Sequence, residues 1–207
     1  MIEKLACFVN KHKADEKANI ELALLLCESN NQKGIEEIVA GLNAKNKDIA
    51  NDCIKVLYEV GERKPLLISS YANELLQLLN SRNNRIVWGS MSALATIAEY
   101  NVDLIFDNLD IVLNAYKSGS VITVDHSITV LAKLCNGGKK YEDKVFPILI
   151  RHLETCRIKE IPQHAERMLI CINEKNKDLY LKTIDSKTKY LSSNQLSRVN
   201  KIKKQLM

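Results

Sequence analysis

The stretch GIEEIVAGLN, residues 34–43, decides the fold because its apolar pattern recurs along the chain. Ile35, Ile38, Val39 and Leu42 follow the spacing i, i+3, i+4, i+7, which places them on one face of an α-helix. Steps of 37 residues lead to three equivalent sets: Ala72, Leu75, Leu76 and Leu79; Leu109, Val112, Leu113 and Tyr116; and Phe146, Leu149, Ile150 and Leu153. Every one of these positions is apolar or aromatic. This period predicts a protein built from helical repeats.

A second helix is predicted after each of these first helices. Its markers are Ile49, Cys53, Val56, Leu57 and Val60; Ile86, Ser90, Ala93, Leu94 and Ile97; Thr123, Ser127, Val130, Leu131 and Leu134; and Ile161, Ala165, Met168, Leu169 and Ile172. The second marker of each set is small, which lets a neighbouring helix approach closely. Because a single amphipathic helix is marginal alone, the pairs are expected to stack and bury their apolar stripes together.

The repeats organise the whole chain into one predicted domain, residues 1–207. The four regular helix pairs cover residues 33–63, 65–100, 102–136 and 139–174. Residues 1–32 form an irregular N-terminal cap with helices at 2–10 and 15–28, and residues 175–207 form a basic C-terminal cap with a helix pair at 177–206. About 10–12 helices are expected from this division.

Composition excludes several other classes of protein. The chain has 207 residues with only 7 Gly and 3 Pro, too few for the turns of an all-β fold. It contains neither GxGxxG nor GxxxxGK[ST], so no nucleotide cofactor is predicted. No Cys–His–acid set suited to nucleophilic catalysis is recognisable, and we predict that the protein is not an enzyme.

Cysteine usage points to the cytoplasm. Six scattered cysteines without a CxxC pair are typical of reduced thiols. Neither a signal peptide nor an 18-residue apolar run is predicted, so no membrane partner is expected.

The positive charge is concentrated at one end of the chain. The net charge is +5, but residues 175–207 hold nine Lys or Arg and two Asp, a net charge of +7, which leaves −2 for the rest. The basic character therefore belongs to the C-terminal cap.

The second-helix pattern resembles HEAT and armadillo-like repeats. The frame Ile49-x₃-Cys53-x₃-Leu57, repeated at 86–94, 123–131 and 161–169, is similar to the HEAT pattern V-R-x-x-A-x-x-x-L. The Arg of that pattern is missing here, and the period of 37 is shorter than the family's usual ~40–47 residues. The resemblance implies a right-handed α-solenoid whose second helices line a concave face, and a scaffold or adaptor that binds a protein or peptide there.

On that frame, nine second-helix residues form the candidate protein-binding surface. They are Asn51, Asp52, Lys55, Trp88, Asp125, His126, Gln163, His164 and Arg167. Trp88 is the only tryptophan, and it serves either as an aromatic anchor for a partner or as a cover over a gap between repeats. His126 and His164 occupy equivalent positions in the second helices of successive repeats, and a metal site there needs a further ligand such as Asp125 or Cys171. Since no metal-ligand spacing supports it, we predict two solvated histidines and no metal.

The basic cap offers a second candidate contact, for nucleic acid or another acidic partner. Its residues are Lys187, Lys189, Arg198, Lys201, Lys203 and Lys204. The alternative interpretation is a solvated face of the last helix pair.

The leading functional prediction is a non-enzymatic scaffold. Its alternative is a nucleic-acid-binding protein similar to HEAT-like DNA-alkylation-repair glycosylases, which use tryptophans and an aspartate on a basic concave face. The sequence sets neither the partner's identity nor the oligomeric state.

Overall fold

The computed structural model describes residues 1–9 and 16–206, and within these ranges it contains 13 α-helices and no strand. The predicted all-α class is therefore confirmed. The chain divides into two compact units, residues 1–127 and 128–207, with the boundary inside one helix. Among the described residues, no helix is both long and apolar enough to cross a membrane.

Unit 1 contains the N-terminal cap and the first repeats. Its helices are α1 (Ala6–Val9), α2 (Lys17–Glu28), α3 (Gln32–Gly41), α4 (Lys47–Arg63), α5 (Ala72–Leu78), α6 (Asn84–Ile97), α7 (Val102–Asp107), α8 (Leu109–Ser118) and the first half of α9 (Val121–Asn136). The predicted pairs correspond to α3 with α4, α5 with α6, and α8 with α9. The short α7, which precedes α8, was not predicted. The leading helix predicted at 2–10 is a 3-10 turn (Ile2–Lys4) followed by four α-helical residues, and residues 10–15 lie outside the described part of the chain.

Three asparagines explain where helices of unit 1 begin. The side-chain oxygens of Asn31, Asn46 and Asn83 accept hydrogen bonds from the backbone N–H groups of Gly34, Asp48 and Arg85, at 2.9, 2.9 and 3.0 Å. An N-cap of this kind satisfies a donor that the first turn leaves unpaired. Asn46 and Asn83 stand at the starts of the second helices α4 and α6.

The repeat markers form the core, as predicted. All first-helix markers are buried except Val39, Leu113 and Tyr116. All second-helix markers are buried except Ile49, Leu169 and Ile172. The four small markers, Cys53, Ser90, Ser127 and Ala165, are each 0% exposed. Small side chains at these positions let each second helix lie close to its neighbours.

The contact between α4 and α6 is close enough to require a glycine. A Cβ at Gly89 would lie 2.7 Å from Cγ1 and 3.0 Å from Cγ2 of Ile54, closer than carbon atoms pack. Ile54 is itself fully buried. Gly89 therefore sets the distance between the two second helices.

Unit 2 contains the rest of α9, the fourth repeat and the C-terminal cap. Its other helices are α10 (Lys139–Thr155), α11 (Ile161–Met168), α12 (Lys177–Asp185) and α13 (Ser193–Leu206). Pro162 stands in the first turn of α11, where a missing N–H costs nothing, and the exposed Pro147 lies inside α10 without ending that helix. The fully buried Tyr180 donates its hydroxyl proton to the carbonyl oxygen of Ala165 at 2.7 Å, which joins α12 to α11.

The buried marker Ser90 offers a test of the core. Its Oγ has no hydrogen-bond partner among the described residues, and an unsatisfied buried hydroxyl is costly. We expect Ser90→Ala to raise the free energy of unfolding by about 1 kcal/mol, measured by urea denaturation. Leu94→Ala on the same helix should instead lower it by about 2–5 kcal/mol. Destabilisation by Ser90→Ala would show that the hydroxyl is satisfied.

Candidate binding surface

An aromatic pair on the second helices of unit 1 is the centre of the candidate surface. The rings of Tyr58 on α4 and Trp88 on α6 have centroids 5.7 Å apart and are tilted by 49°. Both side chains are partly exposed. The ammonium of Lys55 lies 4.7 Å from the Tyr58 ring centroid, and the guanidinium of Arg85 lies 5.9 Å from that of Trp88. Each ring therefore has a cation over its face, an arrangement that attracts through the ring quadrupole.

These cations belong to an ion-pair network that links three helical segments. Glu16, just before α2, pairs with Lys55 of α4 at 3.4 Å and with Arg85 of α6. Glu59 pairs with Lys55 and with Arg63 along α4, both at 2.6 Å. The network fixes the cations beside the rings and leaves the aromatic pair in a defined orientation.

Burial and ion pairing shift the pKa values of Glu59 and Lys55 in opposite directions. Burial alone would raise the pKa of Glu59, but hydrogen bonds from Lys55 and Arg63 outweigh it, so that the pKa lies below its ordinary value of 4.5. Burial also opposes the charge of Lys55, yet its hydrogen bonds to Glu59 and Tyr58 raise its pKa above the ordinary value. Both groups are therefore charged at neutral pH.

Two asparagine amides connect the aromatic-bearing helices α4 and α6. The side-chain N–H of Asn83 donates to Oδ1 of Asn51 at 2.8 Å, which connects the start of α6 to α4. Asn51 and Arg85 also line a small cavity of about 60 Å³ together with Cys7, Asp48 and Asp52. Amides at the edge of an aromatic surface can pair with the backbone of a bound peptide.

Residues at equivalent positions of the four second helices form three rows, and these rows differ in exposure. The row Asn51, Trp88, Asp125 and Gln163 is partly exposed in every repeat. In the row Asp52, Gly89, His126 and His164, only His126 is partly exposed. In the row Lys55, Ser92, Thr129 and Arg167, the first two residues are buried and the last two are partly exposed. The first row therefore offers the most accessible contacts.

Three candidate residues expected to be solvated are buried instead. Asp52 and Lys55 are each 8% exposed, and His164 is 0% exposed. The carboxylate of Asp52 accepts the backbone N–H of Cys7 at 2.7 Å and the side-chain N–H of Asn19 at 2.9 Å, so it holds the N-terminal cap on α4. The expectation was wrong here because a second helix packs its flank against neighbouring helices, and a polar residue there finds an internal partner.

The remaining candidates also make internal interactions. Asp125, His126 and Gln163 are partly exposed and take part in polar or ring contacts. Arg167 donates to the hydroxyl of Thr129, and its Nε is buried without a partner among the described residues. These residues stay candidates for partner contact.

The solvated pair predicted for His126 and His164 is replaced by a buried histidine pair within unit 2. Nε2 of His152 on α10 lies 2.7 Å from Nδ1 of His164 on α11, and the ring centroids are 4.7 Å apart. His152 is 4% exposed. Sequence reasoning missed His152 because the partner lies 12 residues away in the first helix of the repeat, outside the compared rows.

The predicted basic contact is largely engaged within unit 2. Lys187 donates to the carbonyl oxygen of Glu154 at 2.6 Å, Arg198 pairs with Glu166, Lys203 pairs with Asp185, and Lys189 lies over the ring of Tyr190. Lys201 and Lys204 are exposed on α13. With Lys203, they line an open groove of about 740 Å³ along that helix.

Five cysteine thiols have a pKa above the ordinary value, the opposite of the shift that activates a nucleophile: Cys7, Cys27, Cys53, Cys135 and Cys156. Burial raises the pKa of Cys7 and Cys53 to about 12 and that of Cys156 to about 11. A hydrogen bond with Cys171, together with burial, holds the pKa of Cys135 well above its ordinary value. All six cysteines are free thiols.

Sequence reasoning also missed Tyr58, Arg85 and Glu16. Tyr58 and Arg85 had a local signal, because they stand three residues from Lys55 and Trp88 on the same helix faces. Glu16 had none, since it lies 69 residues from the arginine that it binds.

Glu59→Gln tests the network. Removing the carboxylate charge shared by Lys55 and Arg63 should lower the free energy of unfolding by roughly 1.5–3 kcal/mol at neutral pH, measured by urea denaturation. Because the folded pKa of Glu59 is lowered, its contribution is present above about pH 4.5 and is lost as the pH falls through the folded pKa. Wild type and variant should therefore converge in acid.

The exposed Glu62 on the same helix gives the control for this measurement. Glu62→Gln should change the free energy of unfolding by less than about 0.5 kcal/mol. Equal losses in the two variants, or a Glu59→Gln loss that persists in acid, would contradict the role of the network.

Comparisons with known proteins support the fold. The sequence matches no family model, and no curated protein matches it. Among solved structures, a designed armadillo repeat protein in complex with the peptide (KR)4 has a TM-score of 0.64 at 11% identity, covering 98% of this chain and 96% of that one. An engineered protein has a TM-score of 0.63 at 16% identity, covering 98% and 95%, and a second designed armadillo repeat protein has 0.59 at 12%, covering 89% and 90%. The chain therefore has the armadillo/HEAT-like helical-repeat fold.

Proposed function

We propose that this helical-repeat chain is a non-enzymatic scaffold that binds a peptide segment of a partner protein. The observation that carries the proposal is the partly exposed Tyr58–Trp88 pair on adjacent second helices, held in place by the Glu16 network. Tryptophan and tyrosine dominate binding hot spots because they bury a large rigid surface at low entropic cost. One of the structurally similar designs is in complex with a peptide, which is consistent with the proposal.

The proposed contact surface is the row Asn51, Trp88 and Asp125 of unit 1, flanked by Tyr58 and Arg85. The cations of Lys55 and Arg85 already lie over the rings of Tyr58 and Trp88. We therefore expect an apolar or aromatic side chain of the peptide, and not a further cation, to pack on Trp88. The Asn51 amide then pairs with the peptide backbone. Free thiols on all six cysteines fit a reducing compartment, and we place the protein in the cytoplasm on that ground.

The test is selection of peptides from a random display library on the full chain, followed by affinity measurement. Because Trp88 is the only tryptophan, its fluorescence reports directly on occupancy of the surface. We expect Trp88→Ala to weaken the selected peptides by about 2 kcal/mol or more, which is about 30-fold in Kd, with helical circular dichroism unchanged.

Tyr190→Ala is the matched control, because Tyr190 is an exposed aromatic residue of unit 2, 58% accessible. It should leave peptide affinity unchanged. Peptides that bind Trp88→Ala as tightly as the wild type would refute the proposed surface. Loss of helical structure in Trp88→Ala would show that Trp88 is a packing residue.

Nucleic-acid binding is the second candidate, and the exposed Lys201 and Lys204 on α13 favour it. A phosphate contact of this kind loses affinity steeply with salt. Fluorescence anisotropy of labelled random duplexes at about 50 and 200 mM salt distinguishes the two functions. The scaffold proposal expects no binding at either concentration. Binding that falls sharply with salt and is lost in Lys201→Ala/Lys204→Ala would support nucleic acid instead.

A further inference from the structure

Three residues of unit 2 bring metal-binding atoms to one point. His152 lies in the last turn of α10, and Cys156 follows four residues later at the end of that helix, so the two side chains lie on the same side. A 3-10 turn, Ile158–Glu160, then reverses the chain and places His164 in the first turns of α11 beside them. One nitrogen from each histidine and the cysteine sulfur all lie within 4.8 Å of one another.

The distances are close to those of a tetrahedral zinc site. Zinc binds histidine nitrogen at about 2.0–2.1 Å and cysteine sulfur at about 2.3 Å, which requires ligand atoms about 3.3–3.6 Å apart. The two imidazole nitrogens are 2.7 Å apart. A bound ion therefore needs these nitrogens to separate by less than about 1 Å, and the widest of the three distances, up to 4.8 Å, to shorten by about 1 Å.

The chemical character of the three groups favours a borderline or soft cation such as zinc over hard cations. Two imidazoles and a thiolate are borderline-soft donors that suit Zn²⁺ and exclude Mg²⁺ and Ca²⁺, which prefer oxygen. Glu160 interacts electrostatically with both Cys156 and His164, while its carboxylate accepts a hydrogen bond from Arg157 at 2.9 Å.

Burial of the histidines also sets this cluster apart from surface residues that meet by chance. His152 and His164 are 4% and 0% exposed, and the packing of α10 against α11 holds their rings together at 2.7 Å between nitrogens. Cys156 is partly exposed and gives an ion access from solvent.

We propose that His152, Cys156 and His164 bind a Zn²⁺ ion that joins the C-terminal end of α10 to the start of α11. Water supplies the fourth ligand on the side of the partly exposed Cys156. The ion clamps the fourth helix pair and is independent of the peptide-binding surface in unit 1. Failure of either proposal leaves the other standing.

The test uses the full chain without an affinity tag, freed of metal by dialysis against a chelator. Titration with Co²⁺ should give the intense visible bands of a tetrahedral cobalt site and a thiolate-to-cobalt charge-transfer band, saturating at one ion per chain. Added Zn²⁺ should displace the cobalt and abolish both features, and added Mg²⁺ should not. Absence of these bands in the wild-type chain would overturn the proposal.

Variants locate the site. Cys156→Ala should remove the charge-transfer band and weaken Zn²⁺ binding by more than the roughly 10–100-fold typical of a lost outer-shell partner. His164→Gln should weaken binding to a similar extent. Cys7→Ala and His126→Gln are matched controls, because they change a partly exposed cysteine and histidine of unit 1, and both should bind as the wild type does.

Cys156→Ala decides the outcome if His164→Gln loses its helical circular dichroism, since Cys156 lies at a helix end and is only partly buried. Unchanged cobalt spectra in Cys156→Ala would overturn the proposal, as would equal losses in the control variants.

Discussion

The packing of α4 against α6 is the contact on which the rest of unit 1 depends. It is possible because Gly89 has no side chain where α6 meets Ile54 of α4, and because the buried markers Cys53 and Ser90 are small. Close approach of two helices brings side chains from different repeats within contact distance. The Tyr58–Trp88 pair and the cations beside it exist only because these two helices lie so close.

The Glu16 network shows how the N-terminal cap takes part in this arrangement. Glu16 reaches cations on both α4 and α6, and Asp52 of α4 in turn accepts two hydrogen bonds from the cap. Partly and fully buried ion pairs stabilise mainly when every partner is satisfied. The cap therefore covers the end of the stack and also orients the cations at the aromatic surface.

The same row of the repeat serves different purposes in different repeats. Its residue is an aspartate that binds the cap in the first repeat, a glycine in the second, and a buried histidine in the fourth. Stacking requires only that the side chain fit beside the next helix, so the chemistry at this position is free to vary. Polar residues at a packed position mark places where a repeat departs from its general pattern to build a local feature.

The sequence by itself determined the helical class, the 37-residue period, the four helix pairs and nearly all of the core, because apolar spacing along a helix is a local property. It also identified Trp88 and the partly exposed row to which it belongs. Only the tertiary structure decided which polar residues face solvent and which are buried, as for Asp52, Lys55 and His164. It alone brought Glu16 to Arg85 and His152 to His164, because such contacts depend on how helices pack and not on spacing within one helix.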